Sequence, residues 1–126
     1  MMFKKKVTTV VFTSILSLTL ASSAFAANQA LTVSAAKGVV DSNGYITGQN
    51  MNGKFNLSTQ ANGEVYAHVM EYCDNAASKI VASDTRTYAG NTIMKVYMKS
   101  KCNYKIFINN IGSNAVAKAY LNNWYN

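Results

Sequence analysis

The sequence predicts an all-β fold: one small antiparallel β-sandwich, immunoglobulin-like or related, of about seven or eight strands closed by one disulfide. Three observations predict it. Beyond residue 27, apolar residues return at every second position and not with a helical period. Asn and Gly interrupt that alternation about every ten residues, the rhythm of short strands joined by turns. Proline is absent, so no strand loses a backbone donor.

Alternation places strands at 30–39, 44–47, 54–59, 64–73, 78–83, 91–99, 103–109 and 114–121. The turn signals between them are "DSNG" at 41–44, "QNMNG" at 49–53, "ANG" at 61–63 and "NNIGSN" at 109–114. Asn and Gly tolerate the positive φ that tight turns between twisted strands demand. The stretch "NAASKIVA" at 75–82 fits a short helix as well as a strand; we read it as a strand followed by a loop.

Ahead of the strands, residues 1–26 read "MMFKKKVTTVVFTSILSLTLASSAFA". Three lysines, an apolar run and a small-residue "AFA" form the three-part pattern of a secretory signal peptide, with cleavage expected after Ala26. The run is rich in Ser and Thr and shorter than the ~20 strongly apolar residues a spanning helix prefers. The expected mature domain is 27–126, a secreted, extracellular chain of one core. Its formal charge is +4, the whole sequence's +7 less Lys4, Lys5 and Lys6. That mild excess suits an anionic wall, membrane or polysaccharide without requiring one, and nothing in the pattern points to specific nucleic-acid recognition.

Two cysteines, Cys73 and Cys102, enter an oxidising space in such a chain, so pairing is the expectation. The loop they close spans 30 residues counted inclusively, for which loop-closure entropy gives ~3.6 kcal/mol. Their spacing is not the CxxC of a redox site.

Parity then divides each strand into two faces. In 91–99 the apolar set is Thr92, Met94, Val96 and Met98; in 103–109 it is Tyr104, Ile106 and Ile108, with Cys102 in step; in 114–121 it is Ala115, Ala117, Ala119 and Leu121. If these three strands form a meander, the opposite face gathers Lys95, Tyr97, Lys99, Lys105, Phe107, Lys118 and Tyr120. Lysines interleaved with rings are a candidate ligand face, although lysine stems over rings also stabilise ordinary sheets. Strand 64–73 reads both ways: with Cys73 inward, Tyr66, His68, Met70 and Tyr72 face out; reversed, those rings make a core and Glu71 goes to water. Trp124 and Tyr125 either plug the end of the sandwich or offer a stacking platform.

The sequence carries no constellation for catalysis. His68 is the only histidine, without a nucleophile in step with it. Glu71 and Asp74 are the only carboxylates close in sequence, too few for glycosidase chemistry. A disulfide would use both thiols a metal site would want, and "DSNG" reads as a turn, so neither metal nor cofactor is expected. The expectation is a non-catalytic binding module. It would act at an anionic or carbohydrate-rich envelope surface, in keeping with the Asn-rich, Gram-positive style of the sequence. A small cationic bacteriocin-like or antifungal effector acting on a membrane or wall is the alternative, and a protein partner is a third possibility.

Overall fold

A computed structural model describes residues 27–125. The expected signal peptide at 1–26 lies outside the described residues.

Among the described residues nine strands run in chain order: β1 (Ala30–Ala35), β2 (Gly38–Asp41), β3 (Ile46–Thr47), β4 (Met51–Thr59), β5 (Val65–Cys73), β6 (Lys79–Arg86), β7 (Gly90–Met98), β8 (Cys102–Asn110) and β9 (Ala117–Asn122). They form two antiparallel sheets. Sheet A has the order β1-β9-β4-β7; sheet B has the order β2-β8-β5-β6, with β3 continuing the β2 edge along β8. The antiparallel sandwich with one disulfide is therefore as expected. Among related sandwiches its connectivity is a jelly roll: apart from β2–β3 and the β5–β6 hairpin, each strand crosses to the opposite sheet before the next begins.

The predicted meander of the last three strands does not form. β7 is an edge of sheet A, β8 lies inside sheet B, and β9 sits between β1 and β4 in sheet A. The physical reason is that an arch to the other sheet keeps the same alternation as a hairpin. Parity reports which side chains face the core, not which sheet they belong to. The predicted strand 30–39 is likewise two strands, β1 in sheet A and β2 in sheet B, with the chain turning through Gly38 at φ 77. No atom lies within 4 Å of where a Cβ would be on Gly38, so it is the backbone angle that calls for glycine there. The ambiguous 75–82 segment enters β6, a strand and not a helix, with a bulge opposite Val69 and Met70.

The core is the set of inward positions from both sheets. Val33, Ala35, Phe55, Leu57, Val96, Met98, Ala117, Ala119 and Leu121 come from sheet A; Ile46, Val65, Ala67, Val69, Tyr104, Ile106 and Ile108 come from sheet B. Of the inward assignments made for β7, β8 and β9, Val96, Met98, Cys102, Tyr104, Ile106, Ile108, Ala117, Ala119 and Leu121 are buried, while Thr92, Met94 and Ala115, which precedes β9, are half-buried. Gly53 sits where β4 has no room for a side chain, since a Cβ would lie 2.3 Å from the Asn122 carbonyl oxygen.

Two buried asparagines tie the arches together. Asn110 Nδ2 donates to the carbonyls of Ala35, Ala36 and Ala115, and its Oδ1 accepts from the Ser113 amide at 3.0 Å. This single side chain joins the β1–β2 arch to the β8–β9 arch. Asn123 does the same at the other end, donating to Thr47 and Ala27 carbonyls and accepting from the Gln29 amide.

Cys73 and Cys102 are bonded, with Cα atoms 4.3 Å apart as direct partners on β5 and β8. The loop they close holds β6 and β7, one in each sheet. Replacing both with Ser should lower the unfolding free energy by ~3.6 kcal/mol, read from the shift in urea midpoint; an unchanged midpoint would contradict the staple. In the same assay Asn110→Leu should cost about 2 to 4 kcal/mol, because three carbonyls and one amide lose a buried partner. The exposed Asn114→Ala should stay within about 0.5 kcal/mol.

Candidate functional site

The sandwich divides the predicted face between its two outer surfaces. Lys95, Tyr97, Lys118 and Tyr120 point outward from sheet A; Lys105 and Phe107 point outward from sheet B; Lys99 lies in the loop after β7. The seven residues therefore do not make one surface, because β8 pairs with β5 and not with β7 or β9.

Sheet A builds its outer face in rungs. Lys118 stands between Ser34 and Ser58, and Tyr120 between Thr32 and Asn56. Lys54 is directly opposite Lys95, and Asn52 is opposite Tyr97. Tyr125 folds back so that its ring lies 5.8 Å from Lys54 Nζ and 5.3 Å from Lys95 Nζ. The π face of one ring thus offsets part of the repulsion between two lysines placed side by side. A cavity of about 440 Å³ opens there, lined by Met51, Asn52, Lys95, Tyr97 and Tyr125. None of the chain's acidic residues, Asp41, Glu64, Glu71, Asp74 and Asp84, lies in the four strands of this sheet.

Sheet B has the opposite character. Cys73 points inward with Val65, Ala67 and Val69, so Tyr66, His68, Met70 and Tyr72 point outward. The strand that read both ways in sequence is decided by its cysteine: Cys102 is in step with the β8 core, and its partner must share that side. With Phe107 and Tyr45 these residues make an apolar surface holding two ring groups, Tyr66–His68–Phe107 and Tyr45–Tyr72. His68 and Phe107 are direct cross-strand partners with rings 5.1 Å apart and stacked, Tyr66 and His68 lie 5.5 Å apart, and Tyr45 meets Tyr72 edge-on at 5.5 Å. Lys105, the face's one lysine, is paired with Asp41 at 3.5 Å and lies over the Tyr45 and Phe107 rings at 5.2 and 5.6 Å.

Burial of His68 lowers its pKa below the ordinary 6.5 by desolvation of the charged ring. Its Nδ1 is buried without a hydrogen-bond partner among the described residues. The imidazole is thus a neutral member of an aromatic cluster.

Glu71 keeps the alternation of β5, in step with Val65, Ala67 and Val69. It turns inward and is buried, accepting a 2.7 Å hydrogen bond from the Tyr104 hydroxyl, which itself accepts from the Lys99 amide at 2.8 Å. Lys79 Nζ stands 3.8 Å from the same carboxylate. Burial first, then the Glu71 hydrogen bond, push the Tyr104 hydroxyl far above the usual tyrosine range. Glu71 also lies with the Cys73 and Cys102 sulfurs within 4.8 Å, but those sulfurs are bonded to each other, which leaves one carboxylate and no ligand set. Asp74 is exposed in the turn after β5, so the carboxylates that are close in sequence do not converge.

No family model matches the chain, and no curated protein matches it significantly in sequence. Among solved structures, it is similar to a crystal structure of the Yersinia pseudotuberculosis-derived mitogen, with 14% identity over 78% of this chain and 85% of that chain and a TM-score of 0.44.

The neutral His68 makes stability depend on pH in a definite direction. As pH falls below 6.5, the unfolded chain takes up a proton that the folded chain resists. Unfolding free energy should therefore fall until the lower folded-state pKa is passed, then level off. Since His68 is the only histidine, His68→Gln should flatten the difference in urea midpoint between pH 7.5 and pH 5.5, an interval set by the usual histidine range of about 6.5. A steeper dependence in the variant would contradict the burial.

Proposed function

We propose that the protein is an exported, non-catalytic binding module that holds an anionic polymer of a Gram-positive envelope on the outer face of sheet A. The observation that carries the reading is the composition of that face: Lys54, Lys95 and Lys118 stand among Tyr97, Tyr120 and Tyr125 with no acidic residue in any of the sheet's strands. Exposed lysines attract phosphate or carboxylate groups over a screening length of ~8 to 10 Å, and tyrosines give the polymer's apolar surface something to lie on. Export is supported by the three-part pattern of residues 1–26 and by the Cys73–Cys102 bond, which belongs to an oxidising space.

Isolated Gram-positive cell walls and vesicles containing anionic phospholipid serve as the two arms of the test. The triple variant Lys54→Gln, Lys95→Gln, Lys118→Gln should bind walls on the order of 100-fold more weakly, at ~1 kcal/mol per lysine near an anionic surface, and with a flatter salt dependence. Lys105→Gln, whose charge is already paired with Asp41, should bind like the parent. Vesicle leakage with no wall binding would replace this reading with that of a membrane effector.

A further inference from the structure

The outer face of sheet A is a groove with β4 as its floor. β4 lies between β7 and β9. Its outward Lys54, Asn56 and Ser58 are half-buried, whereas Ile93, Lys95 and Tyr97 on β7 and Lys118 and Tyr120 on β9 stand exposed on either side. The wall strands are two interstrand spacings apart, ~9.6 Å, which leaves room for one polymer chain. Each end of the floor opens into a hollow. One, of about 440 Å³, is lined by Met51, Asn52, Lys95, Tyr97 and Tyr125; the other, of about 260 Å³, is lined by Ser58, Gln60, Val116 and Lys118. From Asn52 to Ser58 the floor runs for ~20 Å of strand. We infer that this groove holds a linear polyol phosphate, a chain of phosphodiesters joined by uncharged hydroxylated linkers, laid along β4 across both hollows. Such an occupant presupposes the polyanion-binding role of sheet A, and it fixes the polymer's chemistry and direction.

Charge placement argues for that chemistry. Lys54 and Lys95 share one rung, and Lys118 stands on the rung of Ser58, ~13 Å further along the floor. The outward rung between them carries Ile93, Asn56 and Tyr120 and no cation. The occupant therefore needs anionic groups held apart by an uncharged stretch. A three-carbon polyol puts six bonds between phosphorus atoms, ~7 Å at ~1.2 Å per bond. Two repeats span the interval, and in an open groove the phosphate between them can turn to solvent. Linker hydroxyls meet Asn52, Asn56, Ser58 and Gln60, uncharged side chains that both donate and accept. A polyuronate carries a carboxylate on every rigid ring, which would hold charges against Ile93 and Tyr120 without a cation. Lysine is a compact point charge that suits phosphate, whereas arginine's planar fork matches a carboxylate. The chain's one arginine, Arg86, lies on β6 in sheet B and donates to the Tyr88 and Ala89 carbonyls.

The test is calorimetric titration with synthetic glycerol phosphate oligomers, a dimer and a hexamer, followed by amide shift mapping. Beside it, binding to Gram-positive walls is measured before and after hydrofluoric acid, which cleaves phosphodiesters and spares carboxylates. Per phosphate, the hexamer should bind at least about tenfold more tightly than the dimer, because it alone reaches both hollows and its second contact is intramolecular. It should move the Asn52, Tyr97, Ser58 and Lys118 amides together. Lys118→Gln should weaken the hexamer about fivefold, the worth of one lysine beside an anionic surface, and leave the dimer, held by Lys54 and Lys95, unchanged. Asn56→Phe, which raises the floor without changing charge, should weaken the hexamer by a similar factor with its urea midpoint retained. If that variant does not fold, the exposed Lys118→Gln carries the expectation. Acid-stripped walls should lose the protein. Equal affinity per phosphate for dimer and hexamer, shifts confined to one end, or an indifferent Lys118→Gln would overturn the groove. Stripped walls that still bind, or tighter binding of hexagalacturonate or hexaglutamate, would overturn the phosphate while leaving sheet A a polyanion face. No binding to intact walls or to either oligomer would overturn both.

Discussion

The pairing of β5 with β8 is the constraint from which the rest follows. Nine residue pairs, from Val65 with Asn110 to Cys73 with Cys102, make it the centre of sheet B. Each end of the ladder is clamped differently. At one end the pair is covalent; at the other, Asn110 uses its side chain to hold both neighbouring arches. Between the clamps, alternation sends Val65, Ala67, Val69, Tyr104, Ile106 and Ile108 into the core. The same alternation sends Tyr66, His68, Met70, Lys105 and Phe107 outward. A shift of one residue would exchange the two sets, so the clamps that fix register also fix what the surface can bind.

The two outer faces differ because the acids are unevenly distributed. Asp41 is spent on Lys105, Glu71 is buried against Tyr104, and Asp84 is half-buried in β6 with Oδ2 unpartnered among the described residues. Sheet A keeps its lysines uncompensated, apart from the Tyr125 ring beside Lys54 and Lys95. A modest net charge is thereby concentrated on one side of a small domain, where it acts locally and not as a diffuse field. The outer face of sheet B, with Lys105 paired to Asp41, is left with apolar rings and uncharged polar side chains.

Much of this was legible in the sequence and some was not. Alternation located the strands and the inward residues of β7, β8 and β9, and two cysteines in a chain with an export pattern gave the disulfide. What alternation does not contain is sheet membership, and so it groups Lys105 and Phe107 with Lys95 and Tyr120 across the thickness of the sandwich. The orientation of β5 was within reach, because a cysteine bonded to inward Cys102 must itself face inward. That would have revealed Tyr66 and His68 as companions of Phe107. Glu71 and Asn110 were beyond reach: a charged or amide side chain at an inward position is readable only when its partner, Tyr104 or the arch carbonyls, is known. Nor does an Asn-rich composition tell which asparagines are structural: Asn110 and Asn123 are fully buried.

The separation of Lys95, Tyr97, Lys118 and Tyr120 from Lys105 and Phe107 rests on the crossing of β7, β8 and β9 between sheets. Cross-strand backbone contacts measured by solution NMR test this most directly. The jelly roll predicts nuclear Overhauser contacts between His68 and Phe107 and between Val69 and Ile106 in sheet B, and between Asn56 and both Tyr120 and Ile93 in sheet A. Backbone contacts linking β7 to β8 and β8 to β9 in hairpin register, with those pairs missing, would return all seven residues to one face and contradict the separation.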